Sequence, residues 1–145
     1  REYDVSHAAF THLRTRRPAL KEELSDNIKI LTNNVRFIEK DLELLEVDKQ
    51  ILAPLDMLRD SSWELARLSQ PRQLKTKPSA FTDLQDLYLV VRHMNEAIRS
   101  RETHRINNKA LSGYVQTLKN FDKILLEETK RLELALERIS TDIVK

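Results

Sequence analysis

The stretch from Leu20 to Leu52 limits what this chain can fold into more than any other. Its apolar residues Leu24, Ile28, Leu31, Val35, Ile38, Leu42 and Leu45 alternate steps of four and three, the spacing of a heptad seam. A second row, Ile30, Phe37, Leu44 and Ile51, recurs every seven residues beside the first. Two adjacent apolar rows make a stripe wider than a two-stranded zipper requires, so this helix is expected to pack against more than one neighbour.

The rest of the composition points the same way. One glycine and four prolines in 145 residues leave almost no hairpin turn chemistry, and a charged fraction of 33% suits solvated helix faces. The fold class expected is therefore all-α: an elongated, antiparallel, coiled-coil-like bundle of three to four main helices. No apolar run approaches the roughly 20 residues of a membrane-spanning helix. The absence of cysteine removes disulfides, zinc-thiolate sites and thiol nucleophiles from consideration. The expected location is intracellular, cytoplasmic first with the nucleus as alternative. A first residue of Arg1 rather than Met leads us to expect a single domain, 1–145, cut from a longer protein.

Prolines and periodicity divide the chain. A short helix is expected over 3–16 with Ala9, Phe10 and Leu13 facing inward. A long one follows over 19–52, with Pro18 marking its start, since proline is tolerated in a first helical turn. Pro54 should kink or end it, because an interior proline removes a hydrogen bond and crowds the preceding turn. Spacing of Leu55, Leu58, Leu65 and Leu68 predicts a helix over 55–69. Residues 70–78, with prolines near both ends, read as a linker. Leu84, Leu87, Tyr88, Val91, Met94 and Ile98 predict a helix over 80–102. The last helix is expected over 108–144, capped by Asn107 and Asn108. Its seam is Leu111, Leu118, Leu125, Leu132 and Ile139, beside a row of Val115, Leu136 and Ile143 that Asp122 and Thr129 interrupt. Gly113 marks either a close helix contact or a late start.

Charge is distributed unevenly despite a net of only +2. Residues 39–64 hold eight acids and three bases, whereas 72–109 hold eight bases and four acids, so in a compact bundle the two stretches can neutralise each other. Two basic clusters stand out: Arg14, Arg16 and Arg17, and Arg99, Arg101 and Arg105.

Catalytic chemistry finds little support. None of His7, His12, His93 and His104 lies in a nucleophile motif, and surface positions are the simple reading for all four. His93 and Glu96 have the three-residue spacing of a ligand pair. Carboxylate-bridged metal bundles, however, place Glu before His and use two such pairs. With one glycine there is no phosphate-cradling loop. No enzyme, cofactor or metal is expected.

No family motif stands out. The reading is a non-enzymatic helical interaction or scaffold module of a larger multi-subunit assembly, of the membrane-tethering, cytoskeletal or kinetochore type. It would bind a partner's helices, or its own copy, through an apolar seam including Ile38, Leu42, Leu45, Leu118, Leu125 and Leu132. Trp63 is core or else a binding anchor. The alternative is a basic module for anionic membrane or nucleic acid, using the two arginine clusters.

Overall fold

A computed structural model describes the backbone of residues 2–68 and 79–144, and the side chains of 19–68 and 82–141. Among the described residues the secondary structure is helical throughout: α1 (Glu2–Leu45), α2 (Ser61–Leu68), α3 (Ser79–Asn107) and α4 (Tyr114–Val144). The expected linker, 70–78, lies outside the described residues.

α1 runs through Pro18, so the helices expected over 3–16 and from 19 are one. The fixed φ of proline is itself helical, and a helix passing through it gives up one amide donor. The inward face proposed for Ala9, Phe10 and Leu13 lies outside the described side chains.

At its other end α1 stops at Leu45, well short of the expected 52. The Lys49 amide donates to the Leu44 carbonyl at 2.8 Å and the Asp48 amide to Leu45 at 3.2 Å. Asp48 adopts φ 58°. This is a Schellman ending, with Asp48 in the left-handed position usually given to glycine. Pro54 therefore plays no part in ending the helix.

The helix expected over 55–69 forms only as α2; residues 49–60 are extended. We refer to this extended segment as the strap. Leu55 and Leu58 are buried, as their spacing implied, yet the backbone between them is not helical. The amides of Ile51, Leu55, Asp56, Leu58 and Arg59 and the carbonyls of Leu52, Asp56, Leu58 and Arg59 are bonded by side chains of α1 and α3, which removes the reason for a local helix.

α3 extends five residues beyond the expected 102, and α4 begins at Tyr114 rather than 108. Asn107 closes α3 instead of capping α4. The reversal uses the bonds Leu111 amide to Asn108 carbonyl and Tyr114 amide to Leu111 carbonyl. Gly113 adopts φ 80° there, so the late start is the correct reading of that glycine.

Contacts fix the topology. Leu45 packs with Tyr114 and Leu118, while Glu46 pairs with Lys119, so α4 returns antiparallel along α1. His104 stacks on Tyr114 and Met94 lies against Thr129, so α3 is also antiparallel to α4. α1 and α3 are thus parallel. The strap and α2 descend between them, taking the place of the second helix in an up-down-up-down arrangement. One core holds Leu24, Leu31, Ile38, Val91, Ile98, Leu125, Leu132 and Leu136 together with Leu55, Leu58 and Trp63 from the descending segment.

Candidate functional site

The buried stripe of α1 is not the pair of rows expected. Leu24, Leu31, Ile38 and Leu45 are buried, but Ile28, Val35 and Leu42 are only half-buried. The second buried row is Leu20, Asn27, Asn34 and Asp41. Three polar residues at seven-residue spacing beside a leucine row were visible in the sequence. Apolar periodicity passes over them because it counts only apolar positions.

Burial of these groups is possible because each is satisfied. The Asn27 carboxamide accepts from the Arg59 amide at 2.8 Å and donates to the Arg59 carbonyl at 2.8 Å. Asn34 makes the same pair with Asp56, at 3.2 and 2.9 Å. From α3, Asn95 makes it with Leu58, at 2.8 and 3.0 Å. Carboxylates serve two more amides: Asp41 accepts from Ile51 at 2.8 Å and Glu102 from Leu55 at 3.2 Å. Glu23 accepts from Ser62 at 3.3 Å and Trp63 at 2.9 Å, capping α2. Burial raises the Glu23 carboxyl above its ordinary range, and the two amide donors pull against that rise.

Toward the end of the bundle that holds the α3–α4 turn, the fully buried Arg101 links three helices. Its Nε donates to Asp122 Oδ1 at 2.6 Å, its Nη2 to Asp41 Oδ2 at 2.9 Å and its Nη1 to Glu102 Oε1 at 2.6 Å. The guanidinium also lies 5.5 Å from the centroid of the Phe37 ring. Arg105 completes the group, donating from Nε to Glu102 Oε2 at 2.6 Å. Burial works against the charge on Arg101, but Asp122, Glu102 and Asp41 more than offset it, and its pKa is raised. The cluster holds three carboxylates against two guanidiniums. Asp122 Oδ2 is left with no donor, beside the Asp41 carboxylate. Burial, and then Asp41, push the Asp122 carboxyl up to about 7. A proton held on the Asp122 carboxyl would occupy Oδ2 and bring the cluster to charge balance.

This corrects the arginine reading. Arg101 and Arg105 are core residues, held by carboxylates of α1, α3 and α4, and do not form a surface patch with the exposed Arg99. Arg14, Arg16 and Arg17 lie outside the described side chains. The neutralisation expected between the acidic and basic stretches is realised at Arg101–Asp41 and, on the surface, at Arg92–Glu64, 2.9 Å apart.

The seam residues are corrected as well. Ile38, Leu45, Leu118, Leu125 and Leu132 are buried within the chain, and Leu42 is half-buried. They close on one another because α4 and the strap cover α1. Trp63 is core: it stacks on Tyr88 at 5.2 Å between centroids, so it is not an exposed anchor. The Tyr88 hydroxyl is buried near Glu23, and burial followed by that negative charge raises its pKa. His104 is buried as well, with Nε2 3.0 Å from the Tyr114 carbonyl and Nδ1 3.0 Å from the Asn108 amide nitrogen. Among the described residues no group of three or more His, Asp or Glu side chains is arranged to hold a metal ion.

Among the described residues an apolar groove is left uncovered. Between α3 and α4, Leu87, Val90, Met94, Leu132 and Ala135 line a groove of about 580 Å³. Asp86, His93, Glu128 and Arg131 edge it. No described side chain of α1 or the strap lines it. Among the described residues no helix is long and apolar enough to cross a membrane. Family models, curated proteins and solved structures yield no match to this chain.

Proposed function

We propose that this chain is a non-enzymatic helical interaction module of a larger assembly, and that it receives an amphipathic helix of another subunit in the α3–α4 groove. The observation that carries this reading is the open groove itself. α1 is covered by α4 and the strap, whereas the outer α3–α4 face leaves Val90 and Leu89 about half exposed above buried Met94 and Leu132. Apolar side chains from facing positions of two antiparallel helices, edged by charges of both signs, suit a third helix laid between them. Burial of that surface supplies the affinity, at about 25 cal/mol per Å² before association costs are deducted.

The test is to recover the tagged chain from its own cells in high salt. Val90→Asp should release the bound subunit without loss of helical circular dichroism, and Arg99→Glu should leave it bound. The reverse pattern would favour anion binding. That alternative is weakened by the withdrawal of Arg101 and Arg105 into the core.

A further inference from the structure

The strap is held by groups that read main chain. Three carboxamides, Asn27, Asn34 and Asn95, each pair with both the amide and the carbonyl of a single residue. Asp41 and Glu102 accept two further amides. Only Leu55 and Leu58 of the strap are fully buried, while Asp56 and Arg59 between and beyond them point to solvent. A sheet edge binds a peptide in the same way, through main-chain bonds with alternate side chains pocketed. Here side chains of two parallel helices take the place of the neighbouring strand.

We propose that the α1–α3 groove is a binding site for extended peptide, and that a second copy of this chain can supply its strap to that site in exchange for the resident one. The second copy suits the site because it repeats the same main chain and the same two leucines at the same spacing, so exchange forfeits no clamp. The hinge is also present. Residues 46–49 are all exposed and turn on the positive φ of Asp48, so the strap can leave α1 at that turn, with Leu55 and Leu58 coming out of the core as it does. The resident strap is favoured by its high effective concentration, which keeps the closed monomer dominant until the turn opens or the strap weakens.

Leu55→Ala with Leu58→Ala loosens the resident strap and leaves the clamps in place. A fluorescein-labelled peptide of residues 49–60 should bind this variant at least tenfold more tightly than it binds the unaltered chain, read by fluorescence anisotropy. Adding Asn34→Ala should weaken that binding about tenfold, for two hydrogen bonds lost. A peptide with both leucines moved by one place should not bind. Equal binding of the shifted peptide overturns the proposal, and so does no binding of the native peptide by a variant that keeps its helical circular dichroism. If the double variant does not fold, the hinge decides. Asp48→Ala disfavours the left-handed turn and should convert monomer to dimer in light scattering. That dimer should be lost on adding Asn34→Ala and kept on adding Val90→Asp, which separates strap exchange from association through the α3–α4 groove. A chain that stays monomeric, or a dimer indifferent to Asn34→Ala, overturns it.

Discussion

Asp122→Asn should stabilise this protein, although it removes a charged partner of a buried arginine. The amide keeps the acceptor that Arg101 Nε uses and adds a donor where Asp122 Oδ2 has none. It therefore imitates the protonated carboxyl without titrating. Burial and the adjacent Asp41 raise the Asp122 carboxyl from 3.8 to about 7, whereas in the unfolded chain it returns to its ordinary value. Between those two pH values the folded state holds the extra proton, so stability falls as pH rises and the loss is complete above about 7. At about 1.4 kcal/mol per pH unit the whole interval amounts to roughly 4 kcal/mol, and the interaction of this carboxyl with its buried charged neighbours sets the expected change at about 2–4 kcal/mol. Urea unfolding followed by circular dichroism, from pH 4.5 to 8.5, gives the comparison. The difference between variant and wild type should be within about 1 kcal/mol at the acid end and grow to about 2–4 kcal/mol in favour of the variant at the alkaline end. A difference that does not change with pH, or a variant less stable than wild type at pH 8, would refute the account of a raised Asp122 carboxyl.

Other substitutions probe separate parts of the argument. Arg101→Met leaves Asp41 and Asp122 buried without their cation and should cost about 3–5 kcal/mol at neutral pH in the same urea assay. Ile38→Asp places a charge at a fully buried seam position and should cost at least about 4 kcal/mol, unfolding the chain rather than detaching a partner. Asn34→Ala releases the Asp56 amide and carbonyl, to which water has access on the strap's open side. A loss of about 1 kcal/mol is expected, with faster hydrogen exchange at the Asp56 amide while α4 amides are unchanged.

Much of the architecture could be read from the chain alone, since helix periodicity is a local property. Leu24, Leu31, Ile38 and Leu45 of α1 and Leu118, Leu125 and Leu132 of α4 are buried where their seven-residue spacing places them, whereas Leu111 is exposed ahead of α4 and Ile139 is half-buried. The late start of α4 was one of two readings of Gly113. The candidate site was less legible. The partner seam read from the sequence shares only Leu132 with the α3–α4 groove and otherwise turns inward, because nothing local distinguishes a seam that closes on its own chain from one that awaits another. What the sequence by itself determined is therefore the all-helical class and one leucine row on each of the two long helices, through interactions that reach only three or four residues along the chain. The tertiary structure decided three things: that 49–60 is extended, that Asn27, Asn34 and Asp41 face the core, and that Arg101 is buried. Each depends on a partner far away in the chain: Arg59 is 32 residues from Asn27, and Arg101 is 60 from Asp41. An asparagine or arginine inside a heptad pattern is costly to bury until its partner arrives, and only the packed bundle brings that partner within hydrogen-bond reach.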